Sequence, residues 1–122
     1  MLATTKHGVL GFGRGLIPLL ASAQIPIRVN TLAPSWTDSE VVPSLKALLN
    51  NINVDVQPAY AVARCACYLM ADTSMNGQLV HVKRGRYVEV DDAVLLPAYD
   101  KVNGDGCPSE DEAFERLVAP AA

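Results

Sequence analysis

The chain has 122 residues, half of them apolar and 19% charged, which suits one domain with a moderate core and excludes a globally disordered chain. Ten basic and thirteen acidic side chains give a net charge of −3, so composition makes no case for nucleic-acid binding. Neither a basic-plus-apolar leader nor an apolar run of about 18 residues occurs, so secretion and membrane spanning are not expected and the cytoplasm is the expected address.

In chain order, the first expected element is a helix over 6–22, where Val9, Phe12, Leu16 and Leu20 recur at helical spacing. Thr4 or Thr5 can cap its start. Gly8, Gly11 and Gly15 remove bulk along one side and favour close packing, and Pro18 should bend or shorten the last turn. Pro26 to Ala33 is short, β-branched and bounded by prolines, which predicts a buried strand. A loop over 34–39 follows, then a helix over 40–51 carrying Val41, Val42, Leu45, Leu48 and Leu49. Pro58 begins another helix with an apolar stripe of Val62, Ala66, Leu69 and Met70. Asn76-Gly77 marks a turn before a second strand over 78–83. Residues 84–97 add a short strand or wrap the surface, and from Asp100 a loose tail holds a turn or more around Ser109–Leu117.

Charge divides the chain into 1–88, with eight basic and four acidic groups, and an acidic extension, 89–122, with two basic and nine acidic. The extension reads as a solvated tail. Helix, strand, helix, helix, strand is the order of part of a parallel α/β sheet. Parallel strands need both faces covered, and a two-stranded remnant has too few neighbours to reproduce a full sheet, so exposed apolar surface, a partner or marginal folding is expected.

Most of the remaining signals read as structure. Cys65, Cys67 and Cys107 match no redox or zinc spacing, and His7 and His81 add none, so no metal site is expected. Gly11-Phe12-Gly13-Arg14-Gly15 fails as a phosphate-binding loop, because Leu16 takes the last glycine position and no strand precedes it. His7 reads as a helix-surface residue and Trp36 as packing or substrate-side shape. Arg28 and Lys83-Arg84-Gly85-Arg86 read as ordinary surface charge rather than a nucleic-acid groove.

Three segments in order carry a resemblance: Lys6-His7-Gly8-Val9-Leu10-Gly11-Phe12, Ile27-Arg28-Val29-Asn30-Thr31-Leu32-Ala33-Pro34, and Asn76-Gly77-Gln78-Leu79-Val80-His81-Val82 up to Gly85. Together they resemble the C-terminal half of a short-chain dehydrogenase/reductase. Val94-Leu95-Leu96-Pro97-Ala98-Tyr99 is similar, more loosely, to an extension of fungal members akin to 15-hydroxyprostaglandin dehydrogenase. The resemblance implies an incomplete Rossmann-like α/β fold, with about two parallel strands, three helices and an irregular acidic tail. It also implies NAD or NADP as cofactor and hydride transfer between an alcohol and a carbonyl.

In the family's Tyr-x-x-x-Lys motif, Lys6 takes the lysine position and Leu2 the tyrosine position. Leucine has no proton to give, so Lys6 is expected to be vestigial. The family's serine and glycine-rich loop would lie ahead of Met1, so independent catalysis and tight cofactor binding by this chain are not expected. The turn Pro34-Ser35-Trp36-Thr37-Asp38-Ser39 has Ser35 where the family has glycine, and Ser39 where it has threonine. Lys6, Pro34, Thr37 and Ser39 are therefore the expected remnant of a nicotinamide contact. The resemblance further implies self-association, or binding to a complete homologue, through residues 58–71 and 78–83. The alternative is a non-catalytic interaction or regulatory protein using exposed helix and sheet surfaces.

Overall fold

The structure, a computed structural model, describes residues 2–41, 44–103, 106, 108 and 110–118. Its elements are α1 (Leu2–Ser22), β1 (Thr31–Pro34), β2 (Thr37–Asp38), α2 (Leu45–Asn50), β3 (Gln57–Pro58), α3 (Ala59–Ala71), β4 (Leu79–Lys83) and β5 (Arg86–Glu89). A π turn (Asp91–Leu95), α4 (Leu96–Asn103) and α5 (Glu110–Val118) complete the chain. The main sheet has the order β1-β4-β5, with β1 parallel to β4 in the register Thr31 to Leu79 and Pro34 to Val82. β5 returns antiparallel on the far side of β4. This is the expected incomplete Rossmann-like α/β arrangement, with a mixed rather than purely parallel sheet.

The core lies between α3 and one face of this sheet. Cys65 and Leu69, four apart on α3, meet Val80 and Val82, two apart on β4, with Leu32, Val62 and Met75 at the margin. Helical and strand periods thus bring the apolar sets of two elements to one seam. The opposite face is met by α1, and there one glycine decides the approach. A Cβ at Gly13 would lie 2.8 Å from the Thr31 hydroxyl, whereas one at Gly8, Gly11 or Gly15 would meet nothing within 4 Å. The expectation that Gly8, Gly11 and Gly15 serve close packing is corrected: Gly13, on another side of the helix, makes the contact.

Helix α1 starts at Leu2, so Thr4 and Thr5 lie inside it rather than capping it. It continues through Pro18 to Ser22 and ends where Gln24 turns left-handed (φ 55), letting the Ile25 N–H reach back to the Leu20 carbonyl at 2.9 Å. The first strand is shorter than expected and starts only at Thr31. The polar groups of residues 28–30 are committed elsewhere. Arg28 donates to the carbonyls of Leu69, Met70, Asp72 and Met75, closing the C-terminal end of α3. Asn76 Oδ1 accepts from Val29 N–H, while Asn30 donates to Met75 O and accepts from Gln78 N–H.

The expected helix over 40–51 contracts to Leu45–Asn50, because Ser44 is left-handed (φ 63) and helix cannot run through it. Val42, named for that helix, lies outside the described residues. The tail is more regular than expected. Glu89 takes the N–H groups of Leu79, Asp91 and Ala93 on its carboxylate, and buried Asp91 pairs with Arg14 of α1. That anchorage starts the π turn and α4, and α5 follows at 110–118; Ser109 and Cys107 lie outside the described residues.

Residues 84 and 85 join β4 to β5 as a two-residue hairpin loop, Lys83 pairing with Arg86. Both are left-handed, at φ 53 and φ 72. Gly85 accepts this freely, while Arg84, with a side chain, carries a cost of roughly 1 kcal/mol.

Candidate functional site

Two contacts orient α1. Gly13 lies over Thr31, at the start of β1, and Ile17 lies against Gly77, whose N–H bonds the Val29 carbonyl just ahead of that strand. The helix therefore runs antiparallel to β1. Seven residues of helix carry Lys6 about 10 Å from Gly13, and four of strand carry Ser35 about 13 Å from Thr31. Lys6 and the 34–39 turn consequently lie toward the same end of the sheet, the carboxyl ends of its parallel strands.

Lys6 is exposed on α1, and among the described residues no hydrogen bond or ion pair joins it to the turn. Position 2 precedes it by four residues on the same helix, hence on the same face, and holds leucine. No donor or acceptor stands there. His7 bonds the Ala3 carbonyl through Nδ1 at 2.9 Å, a surface contact within the helix.

The turn is built more firmly. Ser35 N–H donates to Val82 O at 2.9 Å, joining the end of β1 to the end of β4. Thr37 Oγ1 donates to Ser35 O at 2.7 Å and accepts from Gln57 Nε2 at 3.1 Å, so its one proton is committed inside the protein. The clamp fixes the Thr37 backbone and leaves its hydroxyl no proton to donate to a ligand. Pro34 closes β1, and Ser39 stands exposed beyond β2.

Gln57, which the sequence reading passed over, holds this end together. It is 5% exposed, and its Nε2 also donates to Val82 O at 2.9 Å. Because the Val82 carbonyl is an acceptor only, the amide orientation is fixed. Its Oε1 is buried without a hydrogen-bond partner among the described residues. The available signal was a long polar side chain directly ahead of Pro58 at a helix start.

Other chemistry is sparse. Among the described residues no cluster of His, Cys, Asp and Glu could hold a metal, and no helix is long and apolar enough to cross a membrane. Cys65 is buried and free, and burial pushes its thiol pKa up; Cys67 is exposed and free. The arrangement offers exposed Lys6 and Ser39 and a rigid backbone edge at residues 34–37, with no acid–base pair among them.

Comparison with known proteins identifies a relative. The chain is 42% identical over 118 residues to the short-chain dehydrogenase/reductase ascJ of Acremonium egyptiacum, covering 95% of this chain and 39% of that protein. It thus spans about two fifths of that relative's length and is homologous to part of a short-chain dehydrogenase/reductase. No family model matches the chain. No solved structure matches it.

Proposed function

We propose that residues 1–122 form the nicotinamide-facing portion of a short-chain dehydrogenase/reductase, whose reaction moves hydride between NAD(P) and an alcohol or carbonyl. The observation that carries this reading is the 42% identity over 118 residues to such a protein. The convergence of Lys6 and the 34–39 turn at the carboxyl end of parallel strands supports it, since ligands of open α/β sheets lie at that end.

The residues present fit one end of the dinucleotide. Exposed Lys6 would face ribose hydroxyls, while the Thr37 backbone and the Ser39 hydroxyl would face the nicotinamide amide. The pyrophosphate has no counterpart among the described residues: the helix that directly follows a strand, α3, is preceded by Gln57-Pro58 rather than glycines, and Pro58 lacks an N–H. When bound, the dinucleotide supplies the hydride acceptor or donor. Leu2 removes the proton-transfer group beside Lys6, so the 122-residue chain alone is proposed to be inactive. The likeness of residues 94–99 to fungal 15-hydroxyprostaglandin-dehydrogenase-like members, and a cytoplasmic address, belong to the same proposal.

Calorimetry of the 122-residue chain with NAD+ and with NADP+ should show no binding tighter than about 1 mM, weaker than about −4 kcal/mol. Alcohol-dependent reduction of either nucleotide should be absent. Micromolar binding or measurable turnover would overturn the inactivity.

A second reading, as a non-catalytic interaction module, is favoured by the apolar surface on α1, where Val9 and Phe12 are 62% and 68% exposed. Tyr60 and Met70 on α3 add to the surface offered by 58–71. β4 has β1 on one edge and β5 on the other, so residues 78–83 offer a partner side chains rather than a free backbone edge. Light scattering distinguishes the readings: a monomer at all concentrations speaks against self-association through these surfaces.

A further inference from the structure

The carboxyl ends of β1 and β4 open into a cleft of about 310 Å³, lined by Ser35 and Trp36, by Asn53, Val54, Asp55 and Gln57, and by Lys83 and Arg84. Its size lies at the lower end of small-ligand sites, about 300–1,000 Å³. It holds two cations and one acid, Asp55, and Asp55 is already paired with Arg84.

Arg84 is the telling residue. A two-residue hairpin loop with positive φ at both positions favours Asn-Gly, and here the first position is arginine. Local turn chemistry therefore does not account for arginine, and departures of this kind concentrate at functional sites. Asp55 pairs with the guanidinium at Nη2, and both residues line the cleft. A guanidinium has five N–H donors, so others remain for a second oxyanion. Lys83 adds an ammonium from the adjacent strand end, and Trp36, 54% exposed, presents an aromatic wall.

We propose that this cleft binds a small aromatic acid, its carboxylate held by Arg84 and Lys83 and its ring against Trp36. The cleft shares Ser35 and Trp36 with the turn of the nicotinamide reading, and benzoate binding is measured without dinucleotide, so the two readings fail separately.

Trp36 is the single tryptophan of the chain, so its fluorescence reports on this cleft alone. Titrating the 122-residue chain with benzoate should give a saturable change in Trp36 emission. The neutral isostere benzamide should bind at least tenfold more weakly, and inorganic phosphate should leave the emission unshifted. Arg84→Asn installs the favoured turn pair, so its thermal midpoint should equal or exceed that of the parent while benzoate affinity falls at least tenfold. Lys83→Ala should weaken benzoate similarly without changing the far-ultraviolet spectrum. A non-saturable response, equal binding of benzamide, a phosphate response matching that of benzoate, or unchanged affinity in both folded variants overturns the proposal.

Discussion

The two faces of the β1-β4-β5 sheet are finished very differently. Against α3 the sheet buries Val80 and Val82 under Cys65 and Leu69, and Arg28 seals the C-terminal end of that helix with four hydrogen bonds. Against α1 the approach is marked by Gly13 over Thr31 and Ile17 beside Gly77, with the Arg14–Asp91 pair as a clasp; Leu10, Leu16 and Leu20 are only half-buried, and Phe12 and Leu19 stay exposed at 68% and 55%. The face that packs well carries no candidate chemistry. The face that carries Lys6 leaves apolar surface uncovered.

The sharpest way to break this contrast is to truncate one large side chain on each helix. Leu69→Ala empties a site that is 5% exposed and should cost about 2–5 kcal/mol. Phe12→Ala should change stability by less than about 0.5 kcal/mol, since the ring has little to lose. Urea unfolding of both variants measures the difference. An equal loss would mean that α1 packs as tightly as α3 in solution.

Two glycines on α1 sharpen the same comparison, because one substitution should act with opposite sign at each. Gly13→Ala places a methyl against the Thr31 hydroxyl and should destabilise by about 1–3 kcal/mol. Gly11→Ala meets open space and should stabilise the helix by up to about 1 kcal/mol. Thermal midpoints moving in opposite directions would confirm which side of α1 faces the sheet; a shared direction would refute the contact at Thr31.

How far the sequence foretold this structure depended on the range of the interactions. The stripe Val62, Ala66, Leu69 and Met70 marked α3 because helical periodicity is written locally, although Cys65 and not the exposed Met70 joins Leu69 in the core, and the short apolar run Leu79 to Lys83 marked β4. The early part of Pro26–Ala33 looked like strand because its residue types suit one. What removes residues 28–30 from the ladder is Arg28, Val29 and Asn30 bonding residues 69–78, more than forty positions away. Gly13 and Gly11 are indistinguishable in the sequence, and only the sheet tells them apart. Lys6, Pro34, Thr37 and Ser39 were found by resemblance, yet the geometry assigns the Thr37 hydroxyl to Gln57, a partner twenty residues on. Arg84 was legible in principle, since Arg-Gly between two extended runs is a hairpin signal with an unusual first residue.

The smallest expected effects are in pH dependence, and both groups concerned lie on the well-packed side. Burial raises the pKa of the Cys65 thiol above its unfolded value of about 8.5. A group neutral when protonated and raised on folding contributes stability that is complete below the unfolded value and is lost as pH rises through the folded one. Asp72 behaves oppositely. The Ser74 hydroxyl and then its N–H, both donating to Oδ1, hold its carboxyl below the usual range. Its contribution is therefore present above about pH 4 and lost as pH falls through the lowered value. Urea unfolding followed from pH 3 to pH 10 should show a shallow decline at each end. Cys65→Ala should remove part of the alkaline decline and Asp72→Asn part of the acid one, whereas Cys67→Ala should leave the alkaline limb as it was. An alkaline limb that follows Cys67 instead would place the buried sulfur elsewhere and dissolve the core seam on which the contrast between the two faces depends.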